Sequence, residues 1–426
     1  MWSALALVVG LAITAGQPSE VISAIQIHGN TATPDDEVRT LAGVRVSAPV
    51  TATTIDEVLT RLRAAKRFQH VDVLKRFASI SDPSQIVLVI VVDEGPVKIE
   101  MTGDADRPTR VVRTHRLNVL FLPILDAEDG YGLAYGGRFA LPDAVGKGGR
   151  VSFPITWGGR KQAAIELDKA IMRGPIDRVL AGASVTRRTN PFFDQDDDRR
   201  RAWVRAEKEL VPHLRVGAIA GVQSVSFGGQ DERFTHAGAD VVLDTRLDPF
   251  LARNAVYARA SWEHVSFAGD PVSHGPQAGR YVGTANRTEL DARGYVGVFR
   301  QNIVAVRVLR HDSDRPLPLY LQPLLGGMAN LRGFRAGSAA GDTLFATSAE
   351  LIVPLTTPLS IGKIGVSAFV DEGTVYSKGQ RLADQTLERG VGGSLWFTAA
   401  FLRLNIAVAH GLGATTRMHI GGSVTF

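Results

Sequence analysis

The sequence predicts an all-β membrane barrel of about sixteen antiparallel strands preceded by one small α/β domain. Three observations predict it. From residue 110 to 426 the chain breaks into segments of alternating apolar and polar residues about ten long, the length of a tilted membrane strand. The polar faces of these segments carry Arg, Asn and His, which a dry core excludes and a watery lumen accepts. Ahead of them, residues 19–96 read as strand, helix, helix, strand, strand.

Composition narrows the alternatives. With 45% hydrophobic and 21% charged residues the chain is too apolar for disorder. Beyond the N-terminus no apolar run approaches the roughly 18 residues of a membrane helix, while alternating barrel strands are compatible with a mean hydropathy of +0.03. The absence of Cys excludes disulfides, thiolate catalysis and thiolate metal sites. Net charge is +5 with a pI near 9.5, but Lys and Arg are spread along the chain, so no nucleic-acid partner is expected.

The first element is an apolar stretch from Trp2 to Gly16 ending in small residues, which reads as a signal peptide over residues 1–16 with a weak basic n-region. VISAIQIHGN then alternates and stops at the turn formers Gly29 and Asn30. Thr33-Pro34-Asp35-Asp36 supplies an N-cap, a Pro at the first helical position and acids in the first turn. A second helix is expected from Thr54 to about Arg67, with Ile55, Val58, Leu59 and Leu62 as its apolar stripe. HVDVLKRF and the near-continuous apolar run QIVLVIVVDEG complete the sheet.

Barrel strands are expected near 116–123, 130–141, 149–157, 161–171, 178–187, 200–211, 213–225, 234–244, 255–267, 284–298, 301–310, 343–355, 361–371, 390–399, 401–410 and 417–426. The C-terminal pair shows the pattern best. Leu402, Leu404, Ile406 and Val408 share one face and Arg403 and Asn405 the other; Met418, Ile420, Val424 and Phe426 oppose Arg417, His419, Ser423 and Thr425. A soluble sandwich would have to bury such charges, and no propeller repeat is visible. The even strand number returns both barrel ends to one side of the membrane. The acidic run Asp194 to Asp198 lacks the Gly and distal Glu of a calcium loop and is expected to be a solvated loop.

GNTATPDDEV, AKRFQHVDV and VLVIVVDEGP resemble the polypeptide-transport-associated (POTRA) domain, which the resemblance places over residues 19–96 in the periplasm, with a sheet edge able to take up an extended client strand. Between strands eleven and twelve lies LGGMANLRGFRAG. Its Leu331-Arg332-Gly333-Phe334 resembles the sixth-loop motif of the BamA and TamA superfamily of assembly barrels, in which the loop folds into the lumen and its Arg pairs with carboxylates of the wall. SAELIVPL with Glu350 and FVDEGTV with Asp371 fit the same pattern, and alternation turns both carboxylates inward. DTRLDPFLARNAVY resembles the family's turn between strands eight and nine, with Ala252 and Ala255 where a Pro and a Gly are expected. An ion pair suits such a loop, because no hydrophobic core is available in a lumen; at about 4 Å and an effective dielectric near 20 the attraction is roughly 4 kcal/mol before desolvation. A symmetric turn between strands twelve and thirteen sets Glu350 and Asp371 about five residues apart, roughly 16 Å, so one carboxylate rather than both is expected to meet Arg332.

The resemblance implies an outer-membrane protein that assists insertion or translocation of other proteins without an energy source. Its partners would be unfolded outer-membrane or secreted clients, the lipid bilayer, and periplasmic chaperones or accessory lipoproteins. The seam would lie between strands one and sixteen, weakened by Gly421 and Gly422, with terminal Phe426 as the barrel-assembly signal. No HExxH, GxSxG, P-loop or dinucleotide fingerprint occurs, so neither catalysis nor a cofactor or metal is expected. The alternatives are a secretion pore dedicated to one substrate and a passive channel or surface antigen.

Overall fold

The computed structural model describes residues 20–424 apart from 31–32, 52, 79–81, 83, 95–96, 102–108, 114–118, 147, 172–173, 247–250, 269–281, 357–361 and 400–401. The leader at 1–16 and terminal Phe426 lie outside the described residues.

The small domain has four strands, β1 (Glu20–His28), β2 (Pro49–Val50), β3 (His70–Phe77) and β4 (Gln85–Asp93), and two helices, α1 (Asp35–Ala42) and α2 (Thr54–Ala64). Sheet order is β2-β1-β4-β3, with β1 parallel to β4 and β3 antiparallel to it. Helix α1 starts one residue later than a Thr33 cap implies: Pro34 holds the cap position with no side-chain bond. Gly43 ends it at φ 66°, a left-handed conformation that costs Gly no Cβ clash. Val38 and Ala42 of α1 and Val58 and Leu62 of α2 bury against Ile22, Val71, Ile86, Leu88 and Ile90 of the sheet. Edge strand β3 carries His70 and Asp72, whose side chains meet at 2.9 Å. That bond raises the His70 imidazole above its ordinary value and holds the Asp72 carboxyl below its own. Charges on an edge discourage uncontrolled strand pairing. A hairpin of β5 (Val97–Met101) and β6 (Thr109–Arg113), not anticipated from sequence, follows.

Sixteen strands then close into an antiparallel barrel: β7 (Leu120–Glu128), β8 (Gly132–Pro142), β9 (Gly149–Gly158), β10 (Lys161–Ala170), β11 (Arg178–Asn190), β12 (Gln195–Val211), β13 (Leu214–Phe227), β14 (Gln230–Asp244), β15 (Ala255–Ala268), β16 (Val282–Gly297), β17 (Ile303–Ser313), β20 (Thr343–Thr356), β21 (Gly362–Tyr376), β22 (Glu388–Ala399), β23 (Leu402–Gly411) and β24 (Thr416–Val424). The loop between β17 and β20 contributes the short pair β18 (Leu324–Leu325) and β19 (Ala339–Ala340). Each expected barrel strand has its counterpart. The clearest displacement is β12, which starts at Gln195: Asp197 is buried against Arg199 at 2.6 Å and Asp198 takes a fork of bonds from Arg187 on the neighbouring strand, so Asp196 to Asp198 are wall rather than loop, while Asp194 stays in the exposed turn.

The wall is inverted relative to a soluble protein. Val185, Val204, Val370 and Val408 are about half exposed on the outside. Inside, Asp240 accepts from Arg205 at 2.7 Å and Arg259 at 3.2 Å, and Asp291 from Arg293 at 2.6 Å and Arg307 at 3.0 Å. Along the outward side of β12, Ala202, Val204 and Ala206 lie between Arg200 and Lys208, a stretch of about 26 Å along the strand and roughly 20 Å in height at the usual tilt, which sets Val204 at the middle of the apolar band. Val204→Arg should therefore destabilise the barrel by about 2–4 kcal/mol in lipid vesicles, as read by urea unfolding. An unchanged midpoint would mean that Val204 does not face lipid.

Candidate functional site: the loop-six clasp and the barrel seam

The connection from 314 to 342, the sixth on its side of the barrel, carries both its anchors and its tip in the sequence. At its base, Leu317, Tyr320 and Leu321 pack with Phe227, Phe234 and Phe267, the Tyr320 ring stacking on Phe234 at 6.2 Å. Buried Asp342 closes the base by accepting the backbone N–H groups of Leu317 at 2.7 Å and Lys378 at 2.8 Å. Further in, Leu325 and Leu331 pack on Leu309 and Leu344 of the wall. Asn330 ties the turn to itself, accepting from Gly326 N–H at 2.8 Å and donating to the Leu324 carbonyl at 2.9 Å. The wall residue Arg307 donates to the Ala329 carbonyl at 2.7 Å.

This frame delivers Arg332 to β20 and β21. Its Nε and Nη2 donate to the two carboxylate oxygens of Asp371 at 2.7 and 2.8 Å, and Nη1 donates to Glu350 at 2.8 Å. Nη2 also reaches Ser348 Oγ at 3.1 Å, and the Arg332 backbone N–H donates to Asp371 at 3.0 Å. Ser348 donates to Asp371 at 2.7 Å, and Ser367 donates to Glu350. The guanidinium carbon sits 3.3 Å from the Phe369 ring centroid, a cation held against an aromatic face. Arg332 is 7% exposed and Asp371 2%. Two carboxylates, one hydroxyl and a ring thus replace the hydration lost by one buried guanidinium.

The expectation that only one carboxylate meets Arg332 is corrected. Ser348 pairs with Asp371 and Glu350 with Phe369, so the carboxylates stand two residues apart in register rather than five. The two strands pair from Thr343 with Tyr376 to Thr356 with Ile364, with a register shift between Pro354 and Thr356, so the hairpin is centred later in the chain than expected and Asp371 is brought to Glu350.

Gly333 has φ +96°, and a Cβ there would stand 2.7 Å from the Gly411 nitrogen, so no larger residue fits between loop and wall. The wall is cut away to match. A Cβ at Gly390 would lie 1.8 Å from the Arg332 carbonyl oxygen, and one at Gly411 2.9 Å from the Phe334 ring. Gly390 and Gly411 are register partners, and this notch was not foreseen from sequence.

The tip also crosses the closure of the barrel. Among the described residues β24 and β7 pair only at Gly422 with Ala127 and Ser423 with Asp126, whereas β23 and β24 pair from Leu402 with Val424 to His410 with Thr416. Gly333 N–H donates to His419 Nε2 on β24 at 2.9 Å. An accepting Nε2 leaves the proton on Nδ1, which donates to Asp129, just beyond β7, at 2.6 Å. Asp129 accepts Met328 N–H of the loop as well, at 3.1 Å. Met328 in turn lies beside Gly421, where an added Cβ would meet its Cγ at 3.3 Å. The loop therefore fastens to β20 and β21 through Arg332 and bridges both strands of the seam through His419 and Asp129. Alternation had turned His419 inward, but nothing in the sequence pointed to Asp129, 290 residues away.

The Omp85 superfamily domain matches residues 161–422, and the POTRA domain, described as a surface antigen variable number repeat, matches residues 20–95. The chain belongs to the Omp85 superfamily. Its fold, an outer-membrane β-barrel with one POTRA domain, is similar to that of BamA from Haemophilus ducreyi lacking POTRA domains 1–3, at 13% identity and a TM-score of 0.60 over 96% of this chain and 85% of that one. It is also similar to CdiB from Escherichia coli, at 13% identity and a TM-score of 0.54 over 97% and 92%. No curated protein matches the sequence.

Two substitutions separate charge from shape in this Omp85 clasp. Arg332→Ala leaves two inward carboxylates without their cation and should release loop six to protease, with a loss of about 3–5 kcal/mol in barrel stability. Gly390→Val keeps every ionic partner but blocks the notch, and should give the same new cleavage within 326–338. Loop six resistant to protease in both variants would show that the clasp does not hold it.

Proposed function

We propose that this Omp85 barrel assists the insertion or translocation of unfolded proteins into or across the outer membrane, with the POTRA domain in the periplasm and loop six on the outer side. The observation that carries the reading is the seam: among the described residues β7 and β24 share two register pairs, and the seam is closed from inside by a loop that holds on elsewhere. Over their remaining described residues the two strands share no ladder, and backbone N–H and C=O groups there are open to a client strand. Releasing Gly333 from His419 and Met328 from Asp129 would free both seam strands at once. The β3 edge of the small domain offers a first station for an extended client by the same edge pairing. No covalent step and no cofactor enter; strand exchange, burial of the client's apolar face in lipid and restoration of the seam supply the driving force. Chaperones or accessory lipoproteins would deliver the client to the small domain.

A secretion pore for one dedicated substrate is the second reading, favoured by a lumen wall built of ion pairs such as Arg205–Asp240–Arg259, which keeps the interior wet. The two readings differ at the seam. The chain has no Cys, so Ala127→Cys with Gly422→Cys introduces a single possible disulfide between register partners. In liposomes, the reduced protein should speed the folding of an unfolded outer-membrane barrel, followed by protease protection. The oxidised protein should lose that acceleration and regain it on reduction. Acceleration that survives oxidation would contradict the proposal; none in either state would move the function to a secretion pore or passive channel.

A further inference from the structure

The outward side of β10–β14 departs from an ordinary lipid-facing wall. Cross-strand register places Lys161 beside Arg187 and Arg187 beside Asp198; two residues further along β12, Arg200 lies between Val185 and Ser224, and Ser224 is beside Arg233. Val185, half exposed, fixes this face as the outside. The four cations therefore form a rim on the loop-six end of the apolar belt. Arg187 is engaged by Asp198, and Asp196 accepts from Thr189. Lys161, Arg200 and Arg233 are exposed and make no hydrogen bond or ion pair among the described residues; Asp231 is the acid that remains on their face. Rim and belt share one open depression of about 1080 Å³ that Trp157 also lines, and Trp157, paired with Tyr135 and half exposed like it, marks the level of a membrane interface.

Directly toward the membrane centre the rim gives way to an apolar furrow of about 800 Å³. Its floor is Ala183 and Ala202 and its walls are Ile165, Leu167, Val204 and Val222. Cations that outnumber the acids of their face, above a groove cut into the hydrocarbon-facing wall, are complementary to one kind of molecule: an anionic head attached to acyl chains. Phosphate suits the head best, since Lys161, Arg200 and Arg233, on alternate strands, stand at the depth where a bilayer presents its phosphate oxygens, and their spread suits a head with more than one phosphate. Neutral lipid would leave this face with an excess of positive charge, Lys161, Arg187, Arg200 and Arg233 against Asp196, Asp198 and Asp231, at the edge of a low-dielectric layer.

We propose that this face binds a phosphate-bearing, multiply acylated lipid of the leaflet at the loop-six end, which is the outer leaflet if the POTRA domain is periplasmic. The site lies on the fourth to eighth strands, away from the seam, so bound lipid would hold that wall fixed in the bilayer while β7 and β24 part.

The test is native mass spectrometry of the purified full chain in detergent, titrated with diphosphoryl lipid A, the same lipid with its phosphates removed, and inorganic phosphate. The unaltered protein should form a one-to-one adduct with diphosphoryl lipid A that excess inorganic phosphate does not displace. The triple variant Lys161→Gln, Arg200→Gln, Arg233→Gln should bind at least tenfold more weakly, and so should Ala202→Trp, which fills the furrow while leaving the rim intact. Heat-modifiable gel mobility confirms closed barrels in both. Binding by either variant within threefold of the unaltered protein, or equal binding of the dephosphorylated lipid, would overturn the proposal.

Discussion

A loop that enters a water-filled lumen has to be held without a hydrophobic core, and the structure depends on how Arg332 meets that constraint. Its guanidinium gives up water, and the wall returns a forked bond from Asp371, a second carboxylate from Glu350, a hydroxyl from Ser348 and the face of Phe369. Desolvation offsets much of the Coulomb gain, so the net stabilisation of the cluster is modest. Its specificity is large, because removing any partner leaves the others charged and buried. Everything else about loop six prepares this contact: the aromatic base at Tyr320, the Asn330 turn and the Gly390–Gly411 notch fix where Arg332 arrives.

The same loop resolves a conflict at the seam. A barrel needs all its strand edges paired, while a barrel that admits client strands needs one pairing weak. Among the described residues the β7–β24 ladder is short, and it is supplemented by groups outside its register pairs, His419 and Asp129 joined through the loop backbone. Such bonds are worth about 1 kcal/mol where both groups are neutral and about 1.5–3 kcal/mol where they end on the Asp129 carboxylate, small enough to be exchanged for a competing strand and large enough to bias the closed state. Holding the loop firmly at β20 and β21 and lightly at the seam gives a hinge side and a release side.

Much of this was legible in the sequence because a barrel writes its inside and outside with a period of two. Leu404 and Val408 opposite Arg403 and Asn405 reveal both a strand and the wetness of the interior, and the same reading along the chain located all sixteen strands. Arg332, Glu350 and Asp371 were visible as an inward set for that reason. Three things were not. The approach of Glu350 to Asp371 depends on the register of one strand against the next, which alternation within a strand does not carry. The acids at 196–198 read as a loop because charge pairing between neighbouring strands, Arg187 with Asp198, is a property of two segments and not of one. Asp129 and the notch glycines act through partners far away in sequence, Gly390 on the Arg332 carbonyl among them, and local pattern carries no trace of them.

The central claim is that Arg332 and Asp371 act as one unit in closing the barrel. A double-mutant cycle measures this directly: urea unfolding in lipid vesicles of the unaltered protein, Arg332→Ala, Asp371→Ala and the double variant. The account predicts that the double variant is little worse than either single one, with a coupling energy of about 2–3 kcal/mol. Additive losses, with coupling below about 0.5 kcal/mol, would contradict it, because the two residues would then be stabilising the barrel independently.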